Sequence, residues 1–313
     1  MMNWNALYHR LRERVPSLEL RRDEPMSRHT SFQVGGPVPV MALPKSEDEA
    51  RQVMRTAALE FGIKAFFMGK GSNLLVSDQG ADLLVVKACD GLNRLELLPE
   101  GEWPGHSTIL AGSGVSLARL SNFALEHGLA GLEFAHGIPG SVGGGVYMNA
   151  GAYGCSLAPL LRELTVFTPA GGLRRVEKED WTTSYRHFSL IGEPAWFIVA
   201  EAVLSLAVKT PAEVRARMAE HIAAKKSTQP IAAHTAGCVF KNPEGRSAGK
   251  LLEEAGMKGT GRGGMRFSSM HANFLVNEGN GSCAAALDLI DEAKKKVARA
   301  TGVNLEMEIK VWS

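Results

Sequence analysis

Gly137 to Gly154 reads GIPGSVGGGVYMNAGAYG, with seven glycines in eighteen residues. A glycine inside a helix or strand costs about 1 kcal/mol relative to alanine, so this density predicts irregular backbone that approaches something closely. The run has no charged side chain. An anion held here must be held by backbone N–H groups, as in phosphate nests. The competing reading is a long surface loop. Tyr147, Met148, Asn149 and Tyr153 speak against a plain linker, because linkers seldom interleave large side chains with their glycines.

Working outward, a second glycine loop, Gly69-Lys70-Gly71-Ser72-Asn73, follows Ala65 to Met68, which reads as a buried strand. Neither this loop nor Gly112-Ser113-Gly114 has the third glycine of GxGxxG. Gly259-Thr-Gly-Arg-Gly-Gly264 matches that pattern to the letter. It follows a helical stretch around Leu251, however, and opens no helix. The physical basis of the motif, a pyrophosphate on a helix N-terminus after a strand, is missing. Gly249-Lys250 lacks the rest of a P-loop. Two glycine loops, 69–73 and 137–145, remain, and together they can hold one diphosphate from two sides. That predicts a dinucleotide in a domain without the Rossmann signature.

The flanking pattern is mixed. Trp4, Leu7, Leu11 and Val15 recur at helical spacing, and Ser46 with Glu49 predicts a capping box before Val53, Met54, Ala57 and Phe61. Leu83 to Val86 reads as a strand, and Ser116 caps a helix that stops at Gly128. Leu164 to Phe167 and Leu173 to Val176 predict a hairpin around a Pro169–Gly172 turn, and Trp196 to Val208 one long strand. Thr210, Pro211 and Glu213 mark a strong helix start and set a boundary at 208/209. Beyond it come a helix to about Lys226, a helix around Leu251, a strand Phe274 to Val276, a helix capped by Ser282, and a strand Leu305 to Trp312.

Bulk composition narrows the function. At 313 residues, 45% apolar and 22% charged, the chain predicts two globular domains. A net charge of +2 argues against a nucleic-acid or membrane partner. Cys89, Cys155, Cys238 and Cys283 match no zinc or disulfide spacing, so no metal is expected and a reducing cytoplasm is. The N-terminus lacks the apolar core of a signal peptide.

Nine segments in order, HTSFQVGG (29–36), GKGSNLLVSD (69–78), GLEFAHGIPGSVGGGVYMNAGAYG (131–154), SYR (184–186), QP (229–230), AGCVFKNP (236–243), SAGKLLEEAGMKG (247–259), HANFLVN (271–277) and LEMEIKVW (305–312), resemble the UDP-N-acetylenolpyruvoylglucosamine reductases, the MurB family, in its shorter, type II form. The resemblance implies an α+β chain. Residues 1–208 would form an FAD-binding domain of the vanillyl-alcohol-oxidase (PCMH) type, and residues 209–313 a smaller α+β substrate domain. It also implies a cytoplasmic, NADPH-dependent FAD enzyme of peptidoglycan precursor synthesis and cell-wall biogenesis, with a small-molecule nucleotide sugar as substrate and no obligate protein partner. Another oxidoreductase on the same flavin domain, or a non-catalytic flavin or nucleotide-sugar binder, are the alternatives.

In that family a hydride adds to the terminal methylene of an enolpyruvyl ether, and negative charge develops on the carbon beside the carboxylate. The charge must be stabilised and then protonated. By resemblance Arg186 takes the carboxylate, which its fork can hold bidentately. Glu308 aids charge stabilisation; alternation along a strand cannot by itself separate it from Glu306. Most family members place a serine as the proton donor where this chain has Cys238. A neutral thiol near pKa 8.5 is a far better acid than a hydroxyl. The flavin-contacting parts of the motifs fall on Gly69, Lys70, Gly71, Ser72, Asn73, Gly137, Ile138, Pro139, Gly140, Ser141, Gly143, Gly144, Asn149 and Gly151. Tyr185, Lys226, Lys241, Asn242, His271 and Asn273 are the candidates for substrate binding. Lys70 and His136 stand where the family keeps small residues.

Overall fold

The computed structural model describes residues 2–88, 91–99, 105–168, 172–192 and 197–313. Cys89, residues 169–171 of the expected turn and Trp196 lie outside the described residues. Side-chain caps set the first helix starts. Asn3 opens α1 (Trp4–Arg14), Ser46 opens α2 (Glu47–Arg55) and Ser116 opens α3 (Leu117–Glu126), each accepting the N–H three residues on. Only the serine half of the expected capping box forms at α2. The Glu49 carboxylate instead accepts from the Lys45 N–H at 2.7 Å and the Ser17 hydroxyl at 2.6 Å.

The chain divides into two compact units, neither continuous in sequence. The first takes Met1–Arg22, Val40–Gly69 and Leu83–Ala223; the second takes Asp23–Pro39, Lys70–Asp82 and Ala224–Ser313. A single cut at 208/209 does not describe this division, because two early segments carry apolar residues that belong to the later core.

Parallel strands Pro37–Leu43, Leu84–Lys87 and Ala65–Met68 lie side by side, with Glu19–Pro25 outside Pro37–Leu43. Val40, Ala42, Leu84 and Val86 share a buried cluster with Leu7 and Leu11 of α1 and Val53 and Met54 of α2. A second sheet is antiparallel, in the order Leu173–Glu177, Leu161–Phe167, Ile198–Val208, His106–Gly112, Leu95–Leu97. The expected hairpin is its first pair, with Phe167 opposite Leu173. Ile109, Leu164 and Leu204 pack against Leu117 and Leu120 of α3.

One expectation fails outright. A helix, α4 (Val142–Tyr147), runs straight through Gly143-Gly144-Gly145. A Cβ on Gly143 would stand 2.7 Å from Ser113 Cβ, and one on Gly145 2.9 Å from Leu157 Cδ1. Missing side chains let α4 lie against the sheet, and that packing outweighs about 1 kcal/mol of helix propensity per glycine. After the long strand, α5 (Pro211–Thr228) opens on a full capping box: Thr210 N–H donates to Glu213 at 2.9 Å and Glu213 N–H to Thr210 Oγ1 at 3.3 Å.

In the second unit, α6 (Ala248–Glu254) and α7 (Cys283–Thr301) accompany an antiparallel sheet ordered His234–Cys238, Phe274–Asn277, Met265–Phe267, Gly261–Arg262. Phe32, Val34 and Leu75 from the early segments are buried with Phe240, Leu252, Phe267 and Leu289. Leu74–Val76 pairs in parallel with Lys310–Trp312. The Asp78 carboxylate accepts from Cys283 N–H at 2.7 Å and Ala284 N–H at 2.9 Å in the first turn of α7. The literal GxGxxG is a hairpin: Gly263 and Gly264, at φ +54° and +77°, turn between two short strands. The last strand is shorter than expected. Only Lys310–Trp312 is extended pairing, with an isolated Phe240–Met307 bridge before it.

Candidate active site

Three clusters carry the chemistry, two in the first unit and one in the second. The first gathers around the start of α4. A Cβ on Gly69 would collide with the Ser141 hydroxyl, so the two glycine loops approach because Gly69 has none. Ser141 precedes α4 but makes no side-chain cap bond. Val142 N–H donates to the Val115 carbonyl (2.8 Å) and Gly143 N–H to the Ser113 carbonyl (2.9 Å). The Gly144 N–H has no acceptor among the described residues; Gly144 is exposed, and the nearest atom to a Cβ there is Ser141 Oγ at 3.8 Å. Ser113 Oγ is buried with no partner among the described residues. Gly140 is fixed by its carbonyl, which accepts from Leu117 N–H at 3.1 Å, and Ile138 packs on the core of the antiparallel sheet.

The second cluster is built on a hairpin, Trp181–Ser184 with His187–Leu190. Tyr185 and Arg186 form its two-residue tip, and Arg186 sits at φ +56°. A non-glycine residue in this left-handed region costs about 1–2 kcal/mol. The tip is tied down. Asn149 Nδ2 donates to the Ser184 carbonyl at 2.9 Å, and Arg186 Nη2 donates to the Gly151 carbonyl at 2.9 Å. Asn149 Oδ1 accepts from Ala158 N–H at 3.1 Å. The Arg186 guanidinium lies 5.0 Å from the centre of the half-exposed Tyr185 ring. Tyr153 and Gly154 turn a second small hairpin, where Tyr153 stacks on His221 at 4.5 Å. Asn149 and Gly151, expected at the cofactor, are thus engaged with the arginine hairpin: Asn149 is 7% exposed, and a Cβ on Gly151 would collide with the Cys155 carbonyl.

The third cluster lies in the second unit. Lys70 is exposed and Gly71 buried, with the Gly71 carbonyl accepting from Ser31 N–H at 3.2 Å. Asn73 Nδ2 donates to the Glu308 carbonyl at 3.2 Å, and Glu308 N–H donates to the Val239 carbonyl at 2.8 Å. Asn73, Glu308 and the residue after Cys238 therefore form one hydrogen-bonded strip. The strand bearing Cys238 carries an extra residue between Thr235 and Cys238, with Gly237 at φ +80°. Such a bulge re-aims the side chain that follows it.

Cys238 acts electrostatically on Lys225. Burial pushes the Lys225 ammonium below its usual pKa, and the charge of Cys238 pulls it back up. Lys226 is exposed. Lys241 Nζ bonds Glu306 Oε1 at 2.6 Å, and that bond holds the Glu306 carboxyl below its usual range. The structure thereby separates the two glutamates: Glu306 is exposed and lysine-paired, whereas Glu308 is half-buried beside Asn73 and Val239. Asn242 Oδ1 accepts from Ala248 N–H at 3.0 Å, in the first turn of α6, which Ser247 caps. Burial pushes the His271 imidazole down, and its Nδ1 accepts from Asn273 N–H at 3.2 Å. Asn273 is tied to the backbone. It is 2% exposed, and both ends of its amide pair with the Phe240 backbone, at 2.8 and 2.9 Å.

Residues 38–177 match the family model described as FAD binding domain, and residues 229–312 match UDP-N-acetylenolpyruvoylglucosamine reductase, C-terminal domain. The UDP-N-acetylenolpyruvoylglucosamine reductase of Caulobacter vibrioides is 40% identical over 289 residues, covering 92% of this chain and 93% of that protein. Reductase 2 of Symbiobacterium thermophilum is 39% identical over 293 residues, covering 94% and 92%. The chain belongs to the UDP-N-acetylenolpyruvoylglucosamine reductase family. The crystal structure of the reductase (MurB) from Thermus caldophilus superposes with a TM-score of 0.78 at 32% identity, covering 95% of this chain and 99% of that one.

Within this MurB family chain, the cluster around α4 falls inside the FAD-binding match. Its residues suit a dinucleotide: hydroxyls of Ser113 and Ser141 and a Gly144 N–H without an acceptor among the described residues, where Gly69 lets the two loops approach and Gly144 stays exposed. Two members of the clusters escaped the sequence reading. Lys225 has the same residue type as its neighbour, and only the helix phase distinguishes the two. Ser113 sits in a glycine pair dismissed as a failed fingerprint; its signal was the small residues on both sides.

Proposed function

We propose that Arg186, Cys238 and Glu308 divide the work of the family's reaction in this chain. That reaction reduces the enolpyruvyl ether of UDP-N-acetylglucosamine to UDP-N-acetylmuramate for peptidoglycan precursor synthesis, with FAD as cofactor and NADPH as electron donor. FAD, when bound, supplies the hydride. Gly69, Ser113, Ser141, Gly143 and Gly144 would hold its diphosphate through neutral donors and close backbone approach.

Arg186 binds and orients the substrate carboxylate with its fork, and its fixed charge favours the electron density that builds up beside that carboxylate. Cys238 gives its Sγ proton to the adjacent carbon and becomes a thiolate. The Lys225 ammonium stabilises that thiolate until a proton from water restores the thiol. Glu308 supports the charge from the strip it shares with Asn73. Lys226 and Lys241 are candidate cations of the second unit for the nucleotide diphosphate. The free thiols of Cys155, Cys238 and Cys283 support a reducing cytoplasmic setting. No helix among the described residues is long and apolar enough to cross a membrane.

The observation that carries the reading is the glycine bulge before Cys238, with Lys225 as its charged neighbour. The experiment is anaerobic: reduce the FAD-loaded protein with NADPH, then add the enolpyruvyl nucleotide. Rapid return of the oxidised flavin spectrum only with that nucleotide is expected. Return with any sugar nucleotide, or none with the enolpyruvyl one, would contradict the proposal.

A further inference from the structure

Arg186 poses a structural problem. It must hold a left-handed conformation that disfavours every residue with a Cβ, at the tip of a hairpin whose residues Thr182 to Tyr185 are exposed. Such a conformation persists only where its surroundings over-determine it. The surroundings here are specific. Asn149 spans two segments with one side chain, donating to the Ser184 carbonyl (2.9 Å) and accepting from the Ala158 N–H (3.1 Å). It does so from a left-handed backbone of its own, at φ +40°, immediately after α4. The Gly151 carbonyl, two residues on, takes the Arg186 guanidinium at 2.9 Å. A side chain with both amide ends engaged and 7% exposure has little left to offer a cofactor.

We infer that Asn149 is a positioning residue for Arg186: with the Gly151 carbonyl it locks the hairpin tip so that the arginine fork meets the substrate carboxylate. The inference rests on the role proposed for Arg186. It moves Asn149 from holding FAD to orienting the substrate-binding arginine, and it assigns the second half of the glycine run to the substrate step.

The test uses the FAD-loaded full-length protein and separates the two half-reactions by stopped flow. Asn149→Gly removes both side-chain bonds and keeps the left-handed backbone comfortable. Asn149→Asp keeps an acceptor for Ala158 N–H and sets a carboxylate against the Ser184 carbonyl, so it serves if the glycine variant folds poorly. Expected for both are FAD affinity and flavin reduction by NADPH within about twofold of the parent. Reoxidation by the enolpyruvyl nucleotide should slow on the order of 10- to 100-fold, the scale of a misplaced reacting group. In an Arg186→Ala background, Asn149→Gly should add nothing further to that loss. Weakened FAD binding, equal slowing of both half-reactions, or full additivity with Arg186→Ala would overturn the inference alone. An Arg186→Ala protein with unimpaired reoxidation would take down the arginine assignment and the inference together.

Discussion

The two halves of Gly137–Gly154 are both glycine-rich and perform different work. In residues 137–145 the glycines make room. Gly143 and Gly145 let α4 lie on Ser113 and Leu157, and Gly144 leaves a bare, exposed surface whose N–H has no acceptor among the described residues. In residues 149–154 the backbone makes turns and anchors. Asn149, Tyr153 and Gly154 take positive φ, and the Gly151 carbonyl holds an arginine. Glycine density alone does not say which job a segment does. What a Cβ would meet, and where each carbonyl and N–H goes, does say so. The literal motif at Gly259–Gly264 makes the same point, since its last glycines serve only a hairpin.

The sharpest break between the halves comes from the arginine they support. Arg186→Ala should slow reoxidation of reduced flavin by the enolpyruvyl nucleotide by about 10²–10³-fold, the scale of one lost transition-state donor, with FAD content unchanged. Loss of FAD in that variant would blur the two halves into one site. Gly151→Ala comes next. Its Cβ collides with the Cys155 carbonyl, so we expect about 1–3 kcal/mol of destabilisation and a lower melting temperature, together with a slower substrate step. An unchanged melting curve would mean that the anchor is softer than it looks.

A control outside the run is Lys225→Met. Removing the ammonium beside Cys238 disfavours the thiolate, so alkylation of Cys238 should shift to higher pH while FAD affinity holds. A shift to lower pH, or none, would remove Lys225 from the acid's surroundings. The smallest effect is a ranking of thiols by peptide mapping after alkylation at pH 8. Exposed Cys155 should react first and Cys238 next. Cys283 should stay silent, because burial and then Asp78 push its pKa to about 11. Early labelling of Cys283 would show that the start of α7 opens readily.

Local signals carried much of the fold in the sequence. Ser46, Ser116, Thr210 and Ser282 mark their helices because capping is a short-range bond. The hairpin at Phe167–Leu173 and the false GxGxxG were likewise readable. Effects that depend on distant partners were not. Propensity argued against α4, and only Ser113 and Leu157, far along the chain, make it sound. Phe32 and Leu75 look like members of the first domain until the core they fill is seen. Ordered motifs point to Arg186, Cys238 and Glu308, and they also carry Asn273, whose amide pairs with the Phe240 backbone in a way no motif shows. Strand alternation leaves Glu306 and Glu308 equivalent; motif order favours Glu308, and in the structure a lysine pairs with Glu306.

Within residues 137–145, Gly143 and Gly145 are bare for packing, and the central proposal is that Gly144 is the glycine that stays bare for the dinucleotide. Gly144→Ala tests it most directly, because the nearest atom to the added Cβ is 3.8 Å away. Alanine also favours the helix by about 1 kcal/mol. Measured together, melting of the FAD-free protein should be unchanged or higher, while FAD titration should show affinity weakened at least about tenfold, roughly 1.4 kcal/mol. A protein that binds FAD as tightly as the parent would contradict the account.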